Sequence, residues 1–394
     1  MRSSVRTALV APLAALVAVL VAALGGLLVV PPAPAAGPQV AAAAAPTSYS
    51  LQGAGYGHGV GMSQYGAQGA AGKGRSHRQI LDFYYPGTAV GTANGSVRVL
   101  ITAETRTALV ISPRPGLSVR SVDAGTSWPL SRTGAKLWRI TPSADNSISR
   151  VWVYTTSWQL VRNIPGEAEF VSTSLRLHLP TGSLVYRGNL RSAVSEDGRD
   201  VVNVVALDVY LRGVVPIEMP ALWRPAALRA QAVAARTYAV HERDTTDRGH
   251  FDVYDTTRSQ VYRGAGVEAR TTNDAILATR GEIRTHEGEA AFTQFSSSNG
   301  GWTVAGSRPY LRARADSYDP VRTWTDTVTA AEIRAAWPKV GAVRAVQVRQ
   351  RDGNGAHGGR ATVVRIAGTT TTIDVTGSAF RSALGLRSTL FRFN

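Results

Sequence analysis

Between Leu51 and Gly74 the chain reads LQGAGYGHGVGMSQYGAQGAAGKG, with glycine at every second position from 53 to 61. No other feature restricts the fold so tightly. Glycine loses more backbone entropy on folding than any other residue. Alternate glycines therefore argue against a continuous helix or strand in the first half of this stretch. They predict a tight loop whose backbone closely approaches another part of the molecule. His58, with glycine on both sides, is presented to a ligand rather than packed into a core. Ser63, Gln64 and Tyr65 follow with polar donors and an aromatic face. The spacing is not a dinucleotide fingerprint: the pattern predicts no strand before it, no helix opening on its last glycine, and no acid at the required distance.

The elements that follow divide the chain by period. SHRQILDFYYPGT (76–88) reads as a short helix, capped by Ser76 and ended by Pro86-Gly87. From Ser96 to about Gly188 come short β-rich runs, VRVLITAE, ALVIS, LSVRSVDAG, KLWRITPS, RVWVYTTS and LRLHLPTG, separated by turn residues. They predict a small all-β unit without a catalytic constellation, a structural or wall-binding module. Beyond it the pattern is mixed. VVNVVALDVYLRGVV passes from strand to short helix, and Pro225 opens a long helix running to about Glu242. A second helix is expected over 267–279, and EIRTHEGEAAFTQFSSS reads as a strand. Helices near 330–337 and 378–384 flank the paired strands AVRAVQVRQRD and GRATVVRIAG. The expected fold class is α+β: a mixed α/β domain with an inserted small all-β domain. The expected divisions are 1–45 (leader and linker), 46–92 (the glycine-rich segment completing the mixed domain), 93–188 (the β unit) and 189–394 (the main part of the mixed domain).

Charge and leader narrow the compartment. The chain carries 43 Lys+Arg against 27 Asp+Glu, a net charge of +16, which implies a polyanionic partner or environment. The arginines are scattered rather than gathered in a basic block, which argues against nucleic acid and leaves anionic wall polymers. Arg2 and Arg6 precede an apolar run from Ala8 to Val30 and a small-residue segment, PPAPAAGPQVAAAAAP. This is the pattern of a cleaved export signal, so a secreted or wall-associated protein is expected, with an uncleaved N-terminal anchor as the alternative. Cysteine is absent, which removes disulfides and thiolate metal sites.

One carboxylate stands apart. Glu218 lies in VVPIEMP, between Ile217 and Met219 and bracketed by Pro216 and Pro220. A glutamate there is either a solvated turn residue or a carboxyl held at a cleft, where poor solvation raises its pKa and keeps a proton available. No second acid is evident nearby. Asp208 reads as a helix N-cap, and Asp252, Asp255 and Asp319 as turn residues. On the long helix Gln231 and Tyr238 share a face, while Arg236 points well around from them. Gln231 is a candidate hydrogen-bonder to a ligand and Tyr238 a packing or stacking residue. Arg236 is either a buried ion-pair partner or a group steadying Glu218. Ser296, Ser297, Ser298 and Asn299 could meet a ligand or simply cap the turn before Gly300-Gly301. No nucleophile elbow surrounds these serines.

VVPIEMP, ALRAQAVAARTYAV, YDTTRSQVYRG, FSSSNGGWT, SALGLRSTLF and GYGHGVGMSQYGAQG together resemble the stage II sporulation protein D / amidase-enhancer LytB (SpoIID/LytB) family, from about Ser50 to Asn394. The resemblance implies a secreted peptidoglycan lytic transglycosylase cleaving MurNAc-GlcNAc strands, favouring those depleted of stem peptides, to 1,6-anhydro-MurNAc products. It implies Glu218 as the single general acid/base. His58, Ser63, Gln64, Tyr65, Gln231, Arg236, Tyr238, Ser296, Ser297 and Asn299 are then the candidate substrate-binding residues. The partners expected are glycan strands and a cell-wall amidase. No cofactor and no metal are expected, since YDTTRSQVY lacks the cysteines some relatives carry near Tyr254 and Ser259, and His250 alone cannot hold zinc in a closed N/S site. The alternative is a non-catalytic amidase enhancer or wall-glycan-binding protein. In the family arrangement the GHGVGMSQYGA loop follows SALGLRSTLF, whereas here it comes first. A circular permutation predicts that Tyr49 to Gly57 lies beside the C-terminal strand and that the glycine loop returns to Glu218.

Overall fold

The structure, a computed structural model, describes residues 45–104 and 106–394; the export signal or anchor expected at the N-terminus lies outside these residues. The described chain is α+β, with its strands gathered into several sheets. As expected, the first strand meets the last. Strand Ser48–Ala54 lies between Thr323–Thr329 and Phe391–Phe393, antiparallel to both, with Leu51 opposite Phe393 and Gly53 opposite Phe391.

This corrects one part of the glycine reading, because a strand does run through Gly53. The indole of Trp324 occupies the space a side chain would need: a Cβ on Gly53 would lie 2.2 Å from that ring. After the alternating glycines, helix α1 (Gln64–Gly72) forms despite Gly66 and Gly69. A Cβ on Gly66 would lie 1.9 Å from the Tyr84 hydroxyl, and one on Gly69 would lie 2.1 Å from the Tyr318 carbonyl. Close approach therefore outweighs helix propensity here. Helix α2 (His77–Tyr84) carries the expected cap as a full capping box between Ser76 and Gln79.

The β-rich runs form two layers around one core that includes Val97, Ile111, Ile140, Val153, Phe170 and Leu177. One layer is six-stranded, in the spatial order Trp158–Pro165, Ile148–Tyr154, Leu137–Pro142, Leu109–Ile111, Ser174–Leu179, Gly182–Arg187. The other is seven-stranded and draws strands from both sides of residue 188: Ser96–Leu100 and Ser118–Ser121 before it, Asn189–Ser195 and Gly198–Ala206 after it. The same core continues into the helices through Leu207, Tyr210, Ala235 and Val240.

Helices α3 (Leu207–Leu211) and α4 (Val215–Glu218) lead to α5 (Pro225–Thr245), and α6 (Arg270–Ala278) packs against it. Pro225 opens α5 as expected. Asp208 is not an N-cap: the cap position of α3 is Ala206, without a side-chain bond. EIRTHEGEAAFTQFSSS is not one strand. Glu282–His286 and Glu289–Ala290 form a hairpin, and Phe295–Ser296 pairs separately, parallel to Met62–Ser63. Glu287 and Gly288, with φ of 53° and 86°, turn the chain between the first two. Near the C-terminus, Val343–Arg351, Ala361–Gly368 and Thr372–Thr376 form a sheet, and α7 (Ala330–Ala336) and α8 (Gly377–Ala383) contribute to the same hydrophobic cluster.

Candidate active site

Helix α4 is a single turn. Pro216 sits in its first turn, and Pro220 disfavours helical geometry at Met219, which is extended with φ −129° and ψ 137°. The helix therefore stops at Glu218. Its side chain leaves the backbone at this break while Val215 and Met219 on either side are fully buried. Glu218 itself is half-buried and opens into a cleft of about 350 Å³. His58 and Tyr238 line the same cleft, with Thr257, Arg258, Ser259, Gln260, Val261, Gln294 and Phe295. No other carboxylate lines it among the described residues. A larger cleft, of about 550 Å³, lies between α3 and α6, but Glu218 is not among its walls.

Burial raises the Glu218 pKa above the ordinary carboxyl value. Two donors act the other way without cancelling it: the Gln64 side chain, whose Nε2 donates to Glu218 Oε2 at 3.1 Å, and the Val261 backbone. No Lys or Arg pairs with Glu218 among the described residues. The shift favours the protonated form at a group that faces open space, the direction an acid needs.

The glycine loop reaches this cleft because its backbone can pass close to the segment around 294–299. Gly61 has φ +69°, and a Cβ there would lie 2.0 Å from the Gln294 carbonyl. Gly59, at φ +76°, donates its N–H to Ser296 Oγ at 3.2 Å and leaves no room for a Cβ beside the Arg360 guanidinium. His58 is delivered between Gly57 and Gly59 of this alternation. Val60 N–H donates to its Nδ1 at 3.0 Å, which leaves the ring proton on Nε2. Desolvation in the cleft wall, opposed by a bond to the Phe295 backbone and helped by the charges of Arg360 and Arg381, lowers its pKa to about 4. The imidazole is therefore neutral at pH 7. His58 shares the cleft with Glu218, but the direct hydrogen-bond partner of Glu218 is Gln64.

Several candidate binding residues are consumed by the fold. Ser63 is fully buried, caps α1 through Gly66 N–H and donates to Asp319 at 2.7 Å. Asn299 is fully buried and spans Asp316 Oδ2 (2.7 Å) and Gly301 N–H (2.9 Å). Ser296 accepts from Gly59, and Ser297 offers its carbonyl to Tyr65 N–H. Ser298, also weighed as a ligand contact, is held by Asp319. Arg236 is the ion-pair partner, not a support for Glu218. It is fully buried, with Nε 2.7 Å from Asp208 and its other nitrogens on the carbonyls of Glu282 and Ile276. Gln231 is fully buried, and neither of its polar side-chain atoms has a protein partner; it is not among the cleft walls. Tyr65 packs on Trp223 with ring centroids 4.9 Å apart, under the Arg322 guanidinium. Tyr238 remains on the cleft wall and stacks on Phe292 at 5.6 Å. Asp319, read as a turn residue, is a buried acceptor for Ser63, Ser298 and the Asn299 backbone. His250 is held by Asp200 at 2.7 Å.

The sequence reading missed the wall Thr257–Val261 and the pair Gln294-Phe295 as site residues. The signal for the wall was available: five consecutive residues inside a turn-rich motif with few apolar positions, placed after the long helix.

Residues 195–286 match the family model described as Stage II sporulation protein. The amidase enhancer of Bacillus subtilis (strain 168) is 41% identical over 129 residues, covering 31% of this chain and 17% of that protein. Stage II sporulation protein D of the same organism is 32% identical over 158 residues, covering 34% of this chain and 46% of that protein. A protein of Brachyspira hyodysenteriae is 34% identical over 157 residues, covering 38% of this chain and 43% of its own length. The chain therefore spans less than half the length of each of these relatives.

Proposed function

From the premise that this chain belongs to the SpoIID/LytB family, we propose that it is a secreted peptidoglycan lytic transglycosylase acting at Glu218. The observation that carries this reading is a lone carboxylate, with its pKa raised by burial, facing a cleft that holds no second acid among the described residues. Most glycosidases flank the scissile bond with two carboxyl groups. A site with one suits a reaction in which the substrate supplies its own nucleophile. The protonated Glu218 gives its proton to the glycosidic oxygen as the bond from that oxygen to the muramyl C1 breaks. The C6 hydroxyl of the same sugar attacks C1, and Glu218, now a carboxylate, takes the hydroxyl proton. The products are a 1,6-anhydro-muramyl end and a free hydroxyl on the leaving sugar, and Glu218 ends protonated again. Gln64 orients the carboxylate, His58 lines the cleft as a neutral imidazole, and Tyr238 and Phe295 give aromatic walls.

Replacing Glu218 with Gln tests this on purified glycan strands with no other enzyme present. The expected loss in turnover is about 10²- to 10⁴-fold, the usual range for a general acid/base. Release of anhydro-muramyl products at the parent rate by E218Q would refute the mechanism. The name of the amidase-enhancer relative favours a second reading, a glycan-binding protein that stimulates a wall amidase. Strands left uncut by the parent protein, with a purified amidase nonetheless accelerated, would select it.

A further inference from the structure

The two layers of the β unit treat charge differently. In the seven-stranded layer three of the four arginines pair with carboxylates, Arg98 with Asp252 at 2.6 Å, Arg191 with Glu169 at 3.1 Å and Arg120 with the same Glu169, while Arg199 is buried on Asn146 and backbone carbonyls. The six strands of the other layer contain no Asp or Glu. They carry Arg139, Arg150, Arg162, Arg176 and Arg187, and of these only Arg187 pairs with a carboxylate among the described residues, Glu268 at 2.5 Å.

Strand alternation places several of these cations on one face. Trp138 and Ile140 point into the core, so Arg139 and Thr141 point out; Val151 and Val153 point in, so Arg150, Trp152 and Tyr154 point out. Cross-strand register sets Arg139 opposite Trp152 and Thr141 opposite Arg150. Arg139 lies between two indoles, 5.0 Å from the Trp152 ring and 4.0 Å from the Trp158 ring, and Tyr154 packs on Trp158 at 5.2 Å. Its Nε is buried with no hydrogen-bond partner. Arg176 projects from a strand two places away from that of Arg139, about 10 Å across the sheet.

We infer that this outer face is a binding surface for an acidic polysaccharide, separate from the Glu218 cleft. The aromatic rings supply apolar faces for sugar rings. Cations spaced across neighbouring strands, without acids among them, supply partners for a charge repeated along the polymer. The match requires both features at once: an uncharged glycan leaves the arginines unpaired, and a polyanion without sugar rings leaves the indoles unused.

The test is binding of the full chain to fluorescent oligogalacturonate, with a neutral gluco-oligosaccharide of equal length and inorganic polyphosphate as the comparison probes. The proposal expects oligogalacturonate to bind more tightly than either comparison probe, and its affinity to fall as salt rises. The double variant R150Q/R176Q changes two exposed side chains and is expected to weaken oligogalacturonate binding about tenfold, with W158A weakening it independently. Cleavage of glycan strands by either variant stays at the parent rate. Equal binding of the neutral oligosaccharide would overturn the proposal, as would equal or tighter binding of polyphosphate, or unchanged affinity in R150Q/R176Q. Because the readout is binding to a probe that the Glu218 chemistry does not use, it stands or falls apart from the transglycosylase reading.

Discussion

The cleft and the outer sheet are opposites. At the cleft one carboxylate is left without a cation, and its surroundings are dense: α4, the glycine loop and the 257–261 wall all converge on it. On the outer sheet several cations are left without a carboxylate, on regular strands facing open space. Removing water from a lone acid shifts its protonation, which serves chemistry. Leaving cations in contact with water keeps them charged at little cost, which serves binding. The buried pair Arg236–Asp208 shows the third arrangement, in which the fold matches the charge internally.

The largest effect that would break this contrast is at Glu218 itself: the 10²- to 10⁴-fold loss expected of E218Q marks the lone acid as the reactive group. Next is the matched pair. Asp208→Ala strands the fully buried Arg236 guanidinium, and a loss of about 3 kcal/mol is expected in urea unfolding, in the range for breaking a buried pair. A loss near zero would mean that the two carbonyl contacts alone satisfy Arg236.

Gln64→Ala acts more subtly. Gln64 donates to the carboxylate form and holds the Glu218 pKa down, so its removal raises that pKa further. The protonated acid then survives to higher pH, and the basic limb of the kcat/KM profile moves up. A limb that stays in place or moves down would show that Gln64 does not act through Glu218. The smallest effect is on the outer sheet, where R150Q/R176Q is expected to change stability by no more than about 0.5 kcal/mol. A larger loss in urea unfolding would mean that these arginines hold the sheet together and are not left over for a ligand.

Much of the fold was legible from local patterns. The capping residue Ser76, Pro225 at the start of α5 and the alternation in Leu137–Pro142 and Ile148–Tyr154 each act over a few neighbouring residues. Misreadings came where distant contacts overrule local preference. Gly53 lies in a strand, where the Trp324 ring fills the space a side chain would need. The candidate site divided the same way. The isolation of Glu218 between two prolines was visible in the sequence. Whether Ser63, Arg236 and Asn299 faced a ligand depended on which partners the fold brought to them, and those partners lie 17 to 256 positions away.

By itself the sequence determined where regular elements start and stop, that one glutamate is set apart by its neighbours, and that the glycine segment must lie against other backbone. These follow from φ/ψ restriction and period, which are properties of short stretches. Only the tertiary structure decided that Gln64 rather than His58 contacts the carboxylate, and that one β layer pairs most of its arginines with carboxylates while the other leaves most of its own without one. Those outcomes rest on burial and charge pairing between residues far apart in the chain, and no local pattern encodes them.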